Sequence, residues 1–301
     1  RHTESFLSDN TSQFSQQNNQ SNGKTDAISG NFRFEWKIDS LTTIMYRPSV
    51  NFSKGNSNSG SFSETLNNEL IPINQKEATN RQTNDRFSTN GSLQFNRKLN
   101  SKGRNIALRL YYNLDNGNSD RYSLANTYYL KYGDSIKVQN QWIDNLNRNH
   151  EYRVQLTYME PVFTNHFIEI NYSYQHRSSL SEKYAYDWND LEDSYSQYPD
   201  TAQSDCYKNK YSIHQVGAFF RTIRTNYFYN IGIEIEPQQT TNQSYMRDTT
   251  LEYSSRNAIN YAPTMNFKYT FSKQTTLRIN YRGRTTQPSM TDLYSKNDIS
   301  D

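Results

Sequence analysis

The stretch that decides the fold is Asn260-Tyr-Ala-Pro-Thr-Met-Asn-Phe-Lys-Tyr-Thr-Phe-Ser-Lys-Gln-Thr-Thr-Leu-Arg-Ile-Asn-Tyr-Arg-Gly-Arg-Thr-Thr-Gln-Pro-Ser-Met-Thr-Asp-Leu293. Tyr261, Pro263, Met265, Phe267, Tyr269 and Phe271 share one parity, and Thr264, Asn266, Lys268 and Thr270 share the other. A period of two belongs to an extended strand, in which successive side chains point to opposite faces. Ser272–Thr275 supplies a polar turn, and in the returning arm Leu277, Ile279 and Tyr281 alternate with Arg278, Asn280 and Arg282. The stretch therefore reads as a hairpin with one apolar, aromatic face and one polar, charged face.

The same alternation recurs upstream. Phe32, Phe34, Trp36 and Ile38 oppose Arg33, Glu35 and Lys37, and after a turn at 39–42 the apolar parity resumes at Ile44, Tyr46, Pro48, Val50 and Phe52. Phe87 to Phe95, Ile106 to Leu114, Tyr152 to Tyr158, Ile168 to Tyr174, Ile213 to Phe220 and Tyr227 to Ile235 repeat it. Between these lie polar stretches rich in Asn, Ser, Gln, Thr and Tyr, at 53–85, 115–120, 175–210 and 238–256, which read as long loops because they lack alternating apolar residues. Strand pairs joined by short turns and separated by longer polar connections are the pattern of a transmembrane β-barrel.

Composition agrees with an all-β chain. A mean hydropathy of -1.04 and 33% hydrophobic residues are low for a water-excluded core, yet 14% aromatic residues is too many for a disordered chain. The apolar parity is heavy in Tyr, Phe and Trp near strand ends, where aromatic girdles meet lipid–water boundaries. A formal charge of +3, from 33 basic and 30 acidic residues, gives no clustered basic surface for nucleic acid. The single Cys206 excludes an internal disulfide framework. No apolar run reaches the ~20 residues of a membrane helix, which leaves barrels open.

Residues that would do chemistry are scattered. His2, His150, His166, His176 and His214 have no metal-ligand spacing, Cys206 has no evident base in the sequence, and no cofactor motif is present, so no enzymatic activity, metal or cofactor is expected. Two candidate sites remain. On the polar parity, Lys268, Arg278 and Arg282 are positioned to line a wet lumen, the alternative being ion pairs with neighbouring strands. In the segment 182–205, Trp188 and Tyr195 offer aromatic faces for sugars and Glu192 and Asp193 offer paired carboxylates for Ca²⁺, the alternative being a solvated surface loop.

Several stretches also resemble a family. Asn260-Tyr-Ala-Pro263, Tyr269-Thr-Phe-Ser272 and Leu277-Arg-Ile-Asn-Tyr-Arg-Gly-Arg-Thr-Thr-Gln-Pro-Ser289 look like C-terminal-half strands of the outer-membrane β-barrel family related to TonB-dependent receptors, of Bacteroidota type. Arg97-Lys-Leu-Asn-Ser-Lys-Gly103 and Leu156-Thr-Tyr-Met-Glu-Pro161 look like its short turns. The resemblance implies a Gram-negative outer-membrane location, contact with outer-membrane lipid, passage or uptake of a solute, and a TonB-type energy-coupling partner. No plug, carboxypeptidase-regulatory-like domain or TonB box is recognisable, and ten to twelve strand candidates are fewer than the 22 of plugged transporters. The expected organisation is thus a polar lead-in at 1–29, a partial barrel at 30–293 with short turns at one rim and long polar loops at the other, and a truncated loop at 294–301. The other reading is a non-transport surface β-protein, serving adhesion or binding carbohydrate.

Overall fold

The computed structural model describes residues 2–6, 12–130, 135–246 and 249–283. They form β1 (His2–Phe6), β2 (Ser12–Asn31), β3 (Phe34–Lys37), β4 (Thr42–Leu66), β5 (Pro72–Lys98), β6 (Asn105–Tyr129), β7 (Ser135–Phe163), β8 (His166–Asn189), β9 (Ser194–Tyr195), β10 (Asp205–Ile223), β11 (Tyr227–Met246), β12 (Thr249–Thr270) and β13 (Thr276–Arg282). Every pairing is antiparallel, and the main sheet runs β1-β2-β4-β5-β6-β7-β8-β10-β11-β12-β13, with β3 on β4 and β9 on β8. Apart from the short β3 and β9, each strand pairs with the next along the chain, as in an up-and-down meander. Among the described residues the sheet is open, since no pairing joins β1 to β13.

One face of this sheet is apolar, and at the height of its apolar rows nothing among the described residues packs on it. The register aligns Ile44, Phe95, Leu108, Leu156, Tyr172, Val216, Ile235 and Tyr261 in a continuous row across eight strands. These side chains are not a core: Ile231 is 47% exposed and Ile233 46%, while Asn230 on the opposite parity is 9% exposed. A curved sheet crowds the side chains on its concave side and spreads those on its convex side. The apolar parity is therefore convex and the polar parity concave. In water a sheet must bury its apolar face against a second layer, and none exists among the described residues. Lipid is the neighbour that fits.

The dimensions agree. From Ile106 to Leu114 the apolar parity of β6 covers roughly 26 Å along the strand, or about 20 Å of height at a ~40° tilt, near the ~25 Å apolar band of outer-membrane barrels. Aromatic residues gather at its upper edge, where the Tyr46 and Tyr112 hydroxyls lie 3.1 Å apart and the Tyr174 and His214 rings 4.8 Å apart.

The strands extend far past that band, and this corrects the loop reading. The stretches 53–85, 115–120, 175–210 and 238–256 are mostly continuous strand within β4–β5, β6, β8, β10 and β11–β12, and the 1–29 lead-in contains β2. The long connection among the described residues is 190–204, which carries β9. Beyond the bilayer both faces of a strand meet water, so nothing selects apolar residues on either parity and the sequence loses its period of two while the ladder continues. Residues 284–293 and the 294–301 loop lie outside the described residues.

At the short-turn rim the connections behave as local chemistry demands. Phe271–Thr275 closes the β12–β13 hairpin, with the Ser272 hydroxyl accepting from the Thr275 amide at 3.1 Å. The β7–β8 turn falls at Thr164–Asn165 rather than at Glu160-Pro161, and Asn165 takes the left-handed φ of 65° that asparagine tolerates. In the β5–β6 turn Gly103 has φ 104°, where a side chain would be strained. Pro48, without an amide hydrogen, lies opposite the break between β2 and β3, and only its carbonyl is used, by Phe32 at 3.0 Å.

The hairpin separates lipid from lumen by a single residue of register. Phe267 and Ile279 are directly paired, as are Asn266 and Asn280. Arginine at Phe267 or Ile279 is expected to lower refolding stability in lipid vesicles by about 2–4 kcal/mol, whereas arginine at Asn266 or Asn280 changes it little; urea titrations of the four variants make the comparison.

Candidate functional site

The concave wall is a polar network built strand by strand. Arg153 on β7 donates through Nη2 to Gln215 Oε1 on β10, Ser173 Oγ on β8 donates to the same oxygen at 2.8 Å, and Gln215 Nε2 donates to Glu236 Oε1 on β11 at 2.6 Å. Gln175 Nε2 adds a bond to Glu151 Oε1 at 2.9 Å. Nearer the short-turn rim Arg221 pairs with Glu169 at 2.5 Å in a half-buried bridge. Every one of these residues lies one position away from a lipid-facing one, so the period of two alone places them here. Gly232 serves the same wall: a Cβ there would meet the Phe219 ring at 2.4 Å, so glycine is what lets Phe219 lie flat across β11.

The wall retains unspent hydrogen-bonding capacity. Asn230 Oδ1, Thr264 Oγ1, Arg153 Nε and Arg221 Nε have no protein partner. Buried polar atoms of this kind are satisfied by water or by a solute.

Lys268, Arg278 and Arg282 all fall on this polar parity. Arg282 approaches Glu234 at 3.8 Å, which is the neighbouring-strand ion pair that the sequence left as an alternative. Lys268 and Arg278 stand directly opposite each other across β12–β13, next to the short turn, and both are exposed.

The segment carrying Trp188, Glu192, Asp193 and Tyr195 divides. Trp188 and Tyr195 pair across β8–β9, with ring centroids 5.1 Å apart. Tyr195 folds onto the outward face, 5.8 Å from Tyr122 and 6.4 Å from Trp142, and its hydroxyl donates to Asn140 Oδ1 at 3.1 Å. Trp142 stacks on Tyr186 at 4.8 Å and donates from Nε1 to Asp120 Oδ1 at 3.1 Å. Glu192 and Asp193 stay exposed at the turn, apart from these rings, and Asp193 has a left-handed φ of 49°. Among the described residues no group of three or more His, Cys, Asp or Glu gathers to hold a metal ion. Tyr122 and Trp142 escaped the sequence reading because their partners are register neighbours from separate strands; the detectable signal was a third patch of outward aromatics beyond the apolar band.

Below this cluster the outward face is acidic and crowded. Asp120 and Asp144 are directly paired across β6–β7. Burial, with Asp120 and then Glu182 nearby, pushes the Asp144 carboxyl above the usual carboxylate range. Cys206 is 1% exposed, and burial pushes its thiol up despite the hydrogen bond from Tyr184. The histidines with assigned partners bond hydroxyls: His166 Nδ1 to Thr222 at 2.7 Å, His176 Nδ1 to Ser212 at 3.0 Å and His214 Nδ1 to Tyr172 at 2.9 Å.

Comparison with known proteins completes the site's context. The sequence profile described as the outer membrane protein beta-barrel family matches residues 97–301, more than half of the chain. No curated protein matches the sequence. Among solved structures, the closed form of the ferric-catecholate import receptor Fiu from K12 E. coli matches at 10% identity with a TM-score of 0.44, over 88% of this chain and 49% of that one. The open form of the same receptor from E. coli K12 matches at 10% identity and a TM-score of 0.43, over 88% of this chain and 54% of that one. The chain thus spans about half the length of the solved structures it matches.

The acidic pair predicts a pH dependence with a definite sign. A carboxyl whose folded pKa is raised adds stability while protonated and loses it as pH rises from the unfolded value toward the folded one. Asp144→Asn is therefore expected to slow amide exchange in β7 at neutral pH relative to the parent, with the difference vanishing in acid below the ordinary carboxylate range. Cys206 is expected to resist a maleimide in the folded protein and react fully in denaturant, as mass spectrometry would read.

Proposed function

We propose, from the premise that the chain belongs to the outer membrane protein beta-barrel family of the bacterial outer membrane, that its concave polar wall conducts a solute across that membrane. One observation carries the reading: the Arg153–Ser173–Gln215–Glu236 chain runs unbroken across four strands on the face away from lipid, with donors and acceptors of its neighbours still unspent. A surface adhesin would place its hydrogen-bonding capacity on outward loops. Here the buried, unpartnered donors and acceptors lie mostly on the inside.

Acids and bases alternate along the wall, Glu169 against Arg221 and Glu234 against Arg282, so it presents no large field of one sign. Such a lining suits a polar solute that exchanges water hydrogen bonds for wall hydrogen bonds, rather than a simple ion. The sequence resemblance to TonB-dependent receptors supports an energised passage, in which a TonB-type inner-membrane protein acts through regions outside these 301 residues. The proposed role is non-enzymatic: the Cys206 thiol is 1% exposed and out of a substrate's reach.

Deleting the gene and profiling growth on single scarce nutrients tests this. The expected result is lost growth on at least one source, restored by the parental gene, incompletely restored by Arg153→Ala combined with Glu236→Gln, and abolished by a protonophore. A deletion strain that grows as its parent on every source while losing surface attachment would contradict the proposal.

A further inference from the structure

Ten residues beyond Tyr112 on β6, at Tyr122, the outward face carries a second feature. Tyr122 lies eight residues past Leu114, where the apolar band ends, which gives about 26 Å along the strand, or roughly 20 Å of height after tilt. At that level the register aligns Asn22, Asn58, Arg81, Tyr122, Trp142 and Tyr186 in one row, and Gln20, Gly60, Thr79, Leu124 and Asn140 in the next. Between them is a cavity of about 550 Å³, within the ~300–1,000 Å³ range of small-ligand sites. One end is closed by Tyr195 and Tyr122, 5.8 Å apart. The other is bounded by the exposed amides of Gln20, Asn22 and Asn58 and by Arg81. Gly60 forms its floor, and a Cβ placed there would meet nothing within 4 Å.

The chemistry of this groove is specific in kind. Flat aromatic rings stack against the C–H faces of pyranose rings, and carboxamides offer both donors and acceptors to vicinal hydroxyls. Arg81 adds one exposed cation for an acidic or phosphorylated sugar. The rings are held in advance by protein contacts, Tyr195 through Asn140 and Trp142 through Asp120, so little side-chain entropy remains to be lost on binding.

We infer that this outward groove binds the glycan chain of the glycolipid that surrounds the protein in the outer leaflet. Its location selects that source over a soluble sugar. The groove shares the convex face with the lipid-contacting rows and stands above them on the side away from the short turns, which is the extracellular side in outer-membrane barrels, where headgroup-linked glycans rise. The inference rests on the lipid assignment of the convex face and is independent of which solute the concave wall conducts.

The test uses the full-length protein in detergent and the lipid-free oligosaccharide released by mild acid from the host's own lipopolysaccharide, with maltohexaose as the unrelated soluble sugar. Trp142 and Trp188 adjoin the groove, so tryptophan fluorescence reports occupancy. Saturable binding of the host oligosaccharide is expected, weakened about tenfold by Tyr122→Ala or Tyr195→Ala, nearly retained by Tyr195→Phe, and blocked by Gly60→Trp, whose side chain fills the groove from open space. No saturable binding by the parent, or equal binding by the Gly60→Trp variant, would overturn the site. Binding of maltohexaose as tightly as the host oligosaccharide would overturn its assignment to the membrane glycan.

Discussion

The structure depends on one constraint: a single sheet with an uncovered apolar face exists only where its surroundings are themselves apolar. Burying a Leu, Ile or Phe side chain away from water is worth about 1.5–3 kcal/mol, and the convex rows hold dozens of such groups without a second protein layer. In water this face would drive aggregation. In lipid it is the solvated face, and the backbone imposes the complementary demand that every amide and carbonyl be paired within the sheet. The antiparallel pairing from β4 through β12 meets that demand along most of its length, with a gap between β10 and β11 at His214 and Gln215, opposite Pro237 and Glu236.

Two environments then shape each strand differently along its length. Within the bilayer, parity is fixed by lipid on one side and a hydrogen-bonded polar wall on the other, which accounts for Ile231 and Ile233 outside with Gly232 and Glu234 inside. Above the bilayer neither side is apolar, and the same strands persist on ladder hydrogen bonds, ion pairs such as Arg86 with Asp115 at 2.7 Å, and aromatic contacts. The functional candidates divide along the same line. The concave network lies at membrane height, and the aromatic groove lies above it on the convex face.

This division also explains what the sequence made legible. The hairpin at 260–282, the faces of its two arms and the short turn were readable because lipid enforces a period of two, and a one-residue slip would put Lys268 and Arg278 into hydrocarbon. The polar tracts were misread as loops because Asn, Ser and Thr alternating with one another carry no hydrophobic period, although they form half of β4 and β5. Arg153 and Glu169 were legible as polar-face residues. Their partners were not, because Gln215 reaches Arg153 and Arg221 reaches Glu169 only through the pairing of β7, β8 and β10. The structure brings Trp188 and Tyr195 together through the pairing of β8 and β9, whereas Glu192 and Asp193, adjacent in sequence, remain outside that cluster.

The central claim is that the convex parity faces lipid and the concave parity faces water. Nitroxide labels placed one at a time from Asn230 to Glu236, leaving Gly232 unlabelled because a side chain there would meet Phe219, in a protein whose buried Cys206 is replaced by serine, measure it directly through collision with membrane-soluble oxygen and a water-soluble nickel chelate. The account predicts oxygen accessibility peaking at Ile231, Ile233 and Ile235, with chelate accessibility peaking at Asn230, Glu234 and Glu236. Reversed peaks, or two accessibilities that rise and fall together along the strand, would contradict it.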